Sequence, residues 1–290
     1  MSSKIYIVGA TSILGWSLAR VGMQDHPGQL VPTCSQHSRH PRTASWLRLN
    51  VEDRDAWAPL FGEHEIDTLI YAAGVCDVDR CEEKPDFAWS INVGGVEAML
   101  RALPSTTRLL YCSSDHVFGG RERPYLESDA PAPISAYGRT RAAAEARVRE
   151  HDSRHLIVRM GLTIGPSLAG RTGHLDWLRY RHDNGLPMTL IEDEWRSAVW
   201  AEPAVRRIFA LARSERTGIQ HLAARALPRP VLARCLARRL GIEPEFRVQR
   251  REEQAVPHLG KIELGSMFDD ELARPLPGPA SDVSDAERTG

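Results

Sequence analysis

The sequence predicts an α/β chain built on a doubly wound parallel sheet, with a smaller lobe toward its C-terminus, and three observations predict it. Short apolar runs that read as buried strands, at residues 4–8, 30–34, 66–73, 109–112 and 155–160, alternate with helical patterns. The first run ends in Gly9-Ala10-Thr11-Ser12-Ile13-Leu14-Gly15, a glycine turn that opens an apolar-periodic helix reaching about Gln24. The run at 109–112 leads straight into Ser113, Ser114 and Asp115, and open parallel sheets carry their chemistry at the carboxyl ends of their strands.

At 290 residues the chain has room for one large α/β domain with an added lobe, and it can bury a sizeable core. A formal net charge of -1 shows no basic excess, so no nucleic-acid partner is expected. Five cysteines form no C-x-x-C pair and leave one over, which suits a reducing cytoplasm better than a disulfide framework or a zinc site, so no metal is expected. The chain enters its first strand at once, without a signal peptide, and no apolar run approaches a membrane span. A soluble cytoplasmic protein is the expectation.

In chain order, the glycine turn has the make-up of a dinucleotide cradle, Rossmann in type. Gly9 and Gly15 let the backbone approach a pyrophosphate seated on the helix N-terminus, with Thr11, Ile13 and Leu14 completing the turn. Ser12 stands where a middle glycine is usual; it can cap the helix and offer a hydroxyl, but its extra atoms narrow the approach. After the second strand come Ser35, His37 and Arg39, and no carboxylate occurs until Glu52. A carboxylate there would hold the ribose hydroxyl of NAD, whereas Arg or His accommodates the 2′-phosphate, so NADP(H) is favoured and NAD(H) is the alternative. A short strand at 46–49 is followed by Asn50 and Val51. The strand at 66–73 ends in Ala72, Ala73 and Gly74, small enough for a nicotinamide ribose to lie against the sheet. Tyr137 and Arg141 are four residues apart at the start of an alanine-rich helix, which places the guanidinium on the face of the phenol. Only Lys4, Lys84 and Lys261 are lysines among 37 basic residues, so arginine at 141 also reflects the chain's own bias.

The run SSDHVFGG, then PYLESD, then PISAYGRTR resembles the Ser/Thr and Tyr-x-x-x-Lys site of the extended short-chain dehydrogenase/reductases, and most closely the dTDP-4-dehydrorhamnose reductase branch. The lysine position holds Arg141. The resemblance covers most of residues 4–240 and implies an NADPH-dependent reductase of a keto group, most naturally on a nucleotide-activated deoxysugar, acting as a homodimer. It implies Tyr137 as general acid and Ser114 as the holder of the same carbonyl oxygen. Asn50 and Val51 would lie beside the adenine. VCDVDRCEEKPDFAWSINVGG matches a family run that carries over Val75, Val78 and Asp79 toward the substrate mouth and Asn92 beside the cofactor. Asp115 would join them at the substrate, and Arg159 matches a strand arginine. Trp195 would stack on a base and Arg196 would pair with a diphosphate. A structural turn with a buried tryptophan is the other reading of that stretch, and a helix cap the other reading of Asp79.

Bringing a tyrosine from a pKa of about 10 to near 7 or 8 takes roughly 3 to 4 kcal/mol. A cation about 4 Å away supplies roughly that much at an effective dielectric near 20. Arginine does this as well as lysine, but it does not give up a proton, so a relay through lysine and ribose is broken. Two rivals follow: a sugar-nucleotide epimerase with the same site, and a non-catalytic NADP- or sugar-nucleotide-binding regulatory protein such as the methionine adenosyltransferase regulatory subunit. A dehydratase usually adds an Asp-Glu pair after the hydroxyl residue, where this chain has Asp115-His116.

Beyond the strand at 155–160, residues 165–173 read as a mobile loop over the substrate, 174–182 as a helix, 187–191 as a strand, and 202–212 and 228–240 as amphipathic helices around a short strand at 219–222. The division expected is 1–160 for the cofactor domain with the catalytic residues, 161–273 for a substrate lobe interleaved with returning sheet elements, and 274–290 for a disordered tail rich in proline, serine and charge.

Overall fold

The apolar runs become the centre of one parallel sheet. In the computed structural model, which describes residues 4–283, the sheet is built from β1 (Ile5–Val8), β2 (Leu30–Cys34), β3 (Leu47–Arg48), β4 (Thr68–Tyr71), β5 (Arg108–Ser114), β6 (Leu156–Met160) and a later strand, β11 (Gly218–Leu222). Their order across the sheet is β11-β6-β5-β4-β1-β2-β3, every pairing parallel. The order reverses between β1 and β4, the crevice in which doubly wound sheets place ligands.

Helices cover both faces, as a parallel sheet with no polar face demands. On one side α1 (Ile13–Asp25) and α8 (Ala201–Arg213) pack with Ile7, Ile70, Leu110 and Val158. On the other, α2 (Trp57–Glu63), α5 (Gly95–Ala102) and α6 (Ala136–His151) pack with Tyr6, Leu69, Tyr71, Tyr111 and Ile157. Two short helices, α3 (Val78–Glu83) and α4 (Pro85–Trp89), and a π-helical turn at Ser90–Gly94 bridge β4 to α5.

The second lobe is assembled from two-stranded ribbons. β7 (Thr163–Ile164) pairs with β10 (Val199–Trp200), β8 (Met188–Ile191) with β13 (Phe246–Gln249), and β9 (Trp195–Arg196) runs antiparallel to β12 (Leu227–Pro228). Together with α7 (His174–Asp183) and α9 (Arg229–Leu240) they enclose a core of Leu178, Met188, Leu227, Val231, Leu232 and Leu236. Two expectations are corrected here. The tail does not begin at 274: Leu276, Ala280 and Val283 are buried and Ala280 and Val283 belong to this core, while the rest of the expected tail, 284–290, lies outside the described residues. The loop at 165–173 is tied down by Ser167, whose hydroxyl donates to Asp176 (2.5 Å) and accepts from Arg171 N (3.1 Å), with Leu168 buried in the main core. Among the described residues no helix is long and apolar enough to cross a membrane.

Candidate active site

The glycine turn does what its residues require. Gly9 has φ +82°, and a Cβ there would come within 2.6 Å of the Ala73 backbone, so only glycine lets β1 and the end of β4 converge. Ser12 is the N-cap of α1: its hydroxyl accepts from Gly15 N (3.0 Å) and donates to Gly9 O (3.0 Å), so the extra atoms are turned into the helix start. The next amides, those of Ile13 and Leu14, have no partner among the described residues, as at any helix start. Unspent N–H groups beside a close-approach glycine fit a phosphate. Thr11 is exposed at the mouth of the turn.

At the tip of β2, Ser35, His37 and Arg39 are exposed, and Arg39 has no side-chain partner among the described residues. What shapes this loop is Arg48, which the sequence reading passed over. Its guanidinium donates to Ser38 O (3.0 Å), Thr43 O (3.2 Å) and Cys34 Sγ (3.1 Å), holding the loop open from β3. Asn50 accepts from Glu52 N (3.4 Å) in the turn after β3, and Val51 O accepts from the buried Trp57 Nε1 (3.3 Å).

Tyr137 lies in the first turn of α6, whose N-cap Ser135 accepts from Gly138 N (3.0 Å). Arg141 is one turn on, as the spacing predicts, and its Nε donates to the Tyr137 hydroxyl at 3.2 Å. Both side chains are buried, 6% exposed. The guanidinium has a second phenol: Nη1 donates to the Tyr111 hydroxyl at 3.0 Å. Its remaining nitrogen, Nη2, lies where a Cβ on Gly74 would stand 2.5 Å away, and Gly74 has φ +148°, so Gly74 is required by both its backbone and its neighbour. Burial pushes the Tyr137 phenol above its ordinary value, and the Arg141 charge and hydrogen bond, with the nearby Ser114 hydroxyl, work against that rise. Arginine offsets desolvation here; it does not bring the phenol near neutrality in the bare chain.

Ser114 ends β5, donates to Asp115 Oδ1 (3.3 Å) and accepts from His116 N (3.2 Å). The His116 ring stands edge-on to Tyr137, centroids 5.1 Å apart, with its buried Nδ1 unpartnered. Burial and the neighbouring Arg196 hold His116 well below the ordinary histidine value, hence neutral. One position back, Ser113 donates to Glu145 (2.6 Å), and Glu145 forms a fully buried pair with Arg159, Nη2 to Oε2 at 2.8 Å.

Several expected site residues sit elsewhere in role. Asn92, in the π-helical turn, accepts from Val75 N (2.8 Å) and donates to Val75 O (3.0 Å) and Thr140 Oγ1 (2.9 Å). One amide hydrogen goes to the loop after β4 at Val75 and the other to Thr140 on α6, so Asn92 ties that loop to α6 and has no donor left for a cofactor. Val78 begins α3 and packs against a small cluster that includes Tyr137; Asp77, not Asp79, caps that helix, and Asp79 is exposed in its first turn.

Arg196 does not face an empty diphosphate site. Its Nη2 and Nε donate to Asp115 (2.8 and 3.1 Å) and its Nη1 to Glu194 (3.3 Å), all three residues buried. The expected substrate contacts Asp115 and Arg196 therefore consume each other, joining the carboxyl end of β5 to the lobe. Trp195, next along β9, points the opposite way, as strand alternation dictates. It lines an outer cavity of about 540 Å³ with Pro228, Val231, Arg234 and Val248.

A family model for the RmlD substrate binding domain matches residues 3–259 of this chain. The chain belongs to the RmlD substrate binding domain family. A dTDP-4-dehydrorhamnose reductase of Escherichia coli strain K12 is 39% identical over 95 residues, 32% of each chain. Methionine adenosyltransferase 2 subunit beta of Rattus norvegicus is 28% identical over 165 residues, 57% of this chain and 48% of that protein. The chain matches about half the length or less of the first curated relatives it resembles. Among solved structures, the dTDP-4-dehydrorhamnose reductase of Bacillus anthracis in complex with NADP superposes with a TM-score of 0.81 at 20% identity, covering 97% of each chain, and this shared fold agrees with the Rossmann architecture expected from the sequence.

Proposed function

We propose that this RmlD-family chain is an NADPH-dependent reductase of a keto group on a nucleotide-activated deoxysugar. The single observation that carries the reading is the buried Tyr137 hydroxyl, held by Arg141 Nε at 3.2 Å, with Ser114 close by at the carboxyl end of β5. A phenol so placed can give a proton to an oxygen that Ser114 also contacts. The E. coli relative's reductase activity and the NADP bound to the B. anthracis protein support it.

NADPH, when bound, supplies the hydride. The amides of Ile13 and Leu14 and the approach at Gly9 and Gly15 would hold its pyrophosphate, and His37 and Arg39 its 2′-phosphate. Tyr137 donates the proton to the substrate's carbonyl oxygen, and Ser114 orients that oxygen. Arg141 stabilises the phenolate left behind, and Tyr111 fixes the guanidinium so that its charge is aimed at Tyr137. Arg141 keeps its own protons, so Tyr137 recovers its proton from solvent rather than through residue 141.

A second reading is a non-catalytic binding subunit. It is favoured by the burial of Tyr137, which raises its pKa and makes it a weaker acid, and by the likeness to the rat subunit. Loss of NADPH's near-ultraviolet absorbance against a panel of dTDP- and UDP-4-keto sugars separates the two. Turnover on any member supports the reductase; tight NADPH binding with no turnover across the panel supports the binding subunit.

A further inference from the structure

We infer that Arg229, not Arg196, is the cation that receives the phosphates of the substrate, an inference that rests on the nucleotide-sugar reading above. β9 and β12 pair with Arg196 opposite Leu227 and Trp195 opposite Pro228. The ladder runs one step further, because Arg229 N donates to Glu194 O at 2.9 Å. Directly opposed residues share a face of a ribbon, and residues two apart along a strand share it as well. Glu194, Arg196, Leu227 and Arg229 therefore project to one side, the side on which Asp115 meets Arg196 beside the catalytic strand.

On that face the donors are unequally committed. Arg196 is spent on Asp115 and Glu194, and Glu194 also accepts from His258 Nδ1 (3.0 Å). Arg229, partly buried at the first position of α9, has no ion pair or side-chain hydrogen bond among the described residues. Burial pulls it below the ordinary arginine value while the Glu194 charge opposes that change, yet its nitrogens stay open to solvent, so its five N–H groups are unspent among the described residues and available to a ligand. Two imidazoles act on the same patch: His116, with its unpartnered buried Nδ1 and its ring against Tyr137, and His174 at the start of α7, held neutral at a pKa of about 3 by burial and by Arg229 and Arg196. A planar guanidinium with free donors beside two neutral imidazoles suits phosphate oxygens, which accept two parallel hydrogen bonds from such a fork.

The test is calorimetric titration of the full chain, saturated with NADP⁺ so that the glycine cradle is filled, using dTDP and inorganic pyrophosphate as probes. Arg229→Gln is expected to weaken both probes by about ten- to hundredfold, Arg229→Lys by less, with NADP⁺ affinity unchanged. Wild-type affinity in Arg229→Gln, or no binding of either probe to the wild-type chain, would overturn the inference. Should Arg229→Gln fail to fold, Arg229→Lys decides in the same way: weaker dTDP binding supports it and unchanged binding overturns it. The reductase reading fails separately, through absent turnover on the keto-sugar panel in a chain that still binds dTDP through Arg229.

Discussion

Arg141 satisfies two phenols at once, and this sets what substitution at that position does. Lysine would reach Tyr137 as a point charge but leave the Tyr111 hydroxyl without the donor it has at 3.0 Å. Arg141→Lys is therefore expected to keep or raise turnover, since lysine restores a proton relay, while losing roughly 1 to 3 kcal/mol of stability from the unsatisfied buried hydroxyl. Steady-state rates and denaturant melts check both halves, and a collapse of activity at wild-type stability would contradict the assignment. The Tyr137–Arg141 pair was legible from spacing alone, because i and i+4 share a helix face. Tyr111 was not: it is thirty residues from Arg141, and within 109–112 it reads as one more buried strand residue.

Among elements, β5 is held by a charge pair that the active site never touches. Glu145 on α6 and Arg159 on β6 are both fully buried and lock Ser113 one residue before Ser114. Arg159→Met is expected to cost about 3 to 5 kcal/mol, because it strands a buried carboxylate, and to lower turnover through displacement of Ser114. Removing both charges together should restore much of the stability, which a double-mutant cycle would measure. The strands and glycine turn were readable because apolar period and glycine punctuation are local. The ribbons of the second lobe were harder: β9, β10 and β12 are two residues each, too short to show alternation, so Trp195 and Arg196 were assigned to one site although adjacent strand residues face apart.

Across the whole molecule, buried titratable groups set the acid limit. His155 accepts from Leu109 N (3.3 Å) and is held neutral at a pKa of about 4, first by burial, so the unfolded chain binds a proton there that the folded chain refuses. Stability should fall as pH drops from about 6.5 toward 4. Glu194, which burial alone would raise, is drawn down to about 2 by His258, Arg229 and Arg196. Its contribution is present above about pH 4.5 and lost as pH falls toward 2. Thermal melts across this range should show both losses, with the second abolished in Glu194→Gln. The doubly wound sheet was predictable at this scale because the central strands are largely apolar runs, β1 wholly so. The placement of Ala280 and Val283 in the lobe core was not, since a few small apolar residues among prolines carry no periodic signal.

The measurement that bears most directly on the reductase reading compares the wild-type chain with Tyr137→Phe, both saturated with NADPH, for the rate of NADPH oxidation by a dTDP-4-keto sugar. A drop of about 10²- to 10⁴-fold, with NADPH affinity unchanged, is the result predicted for a general acid. An unaffected rate in Tyr137→Phe would contradict it and remove Tyr137 from the chemistry.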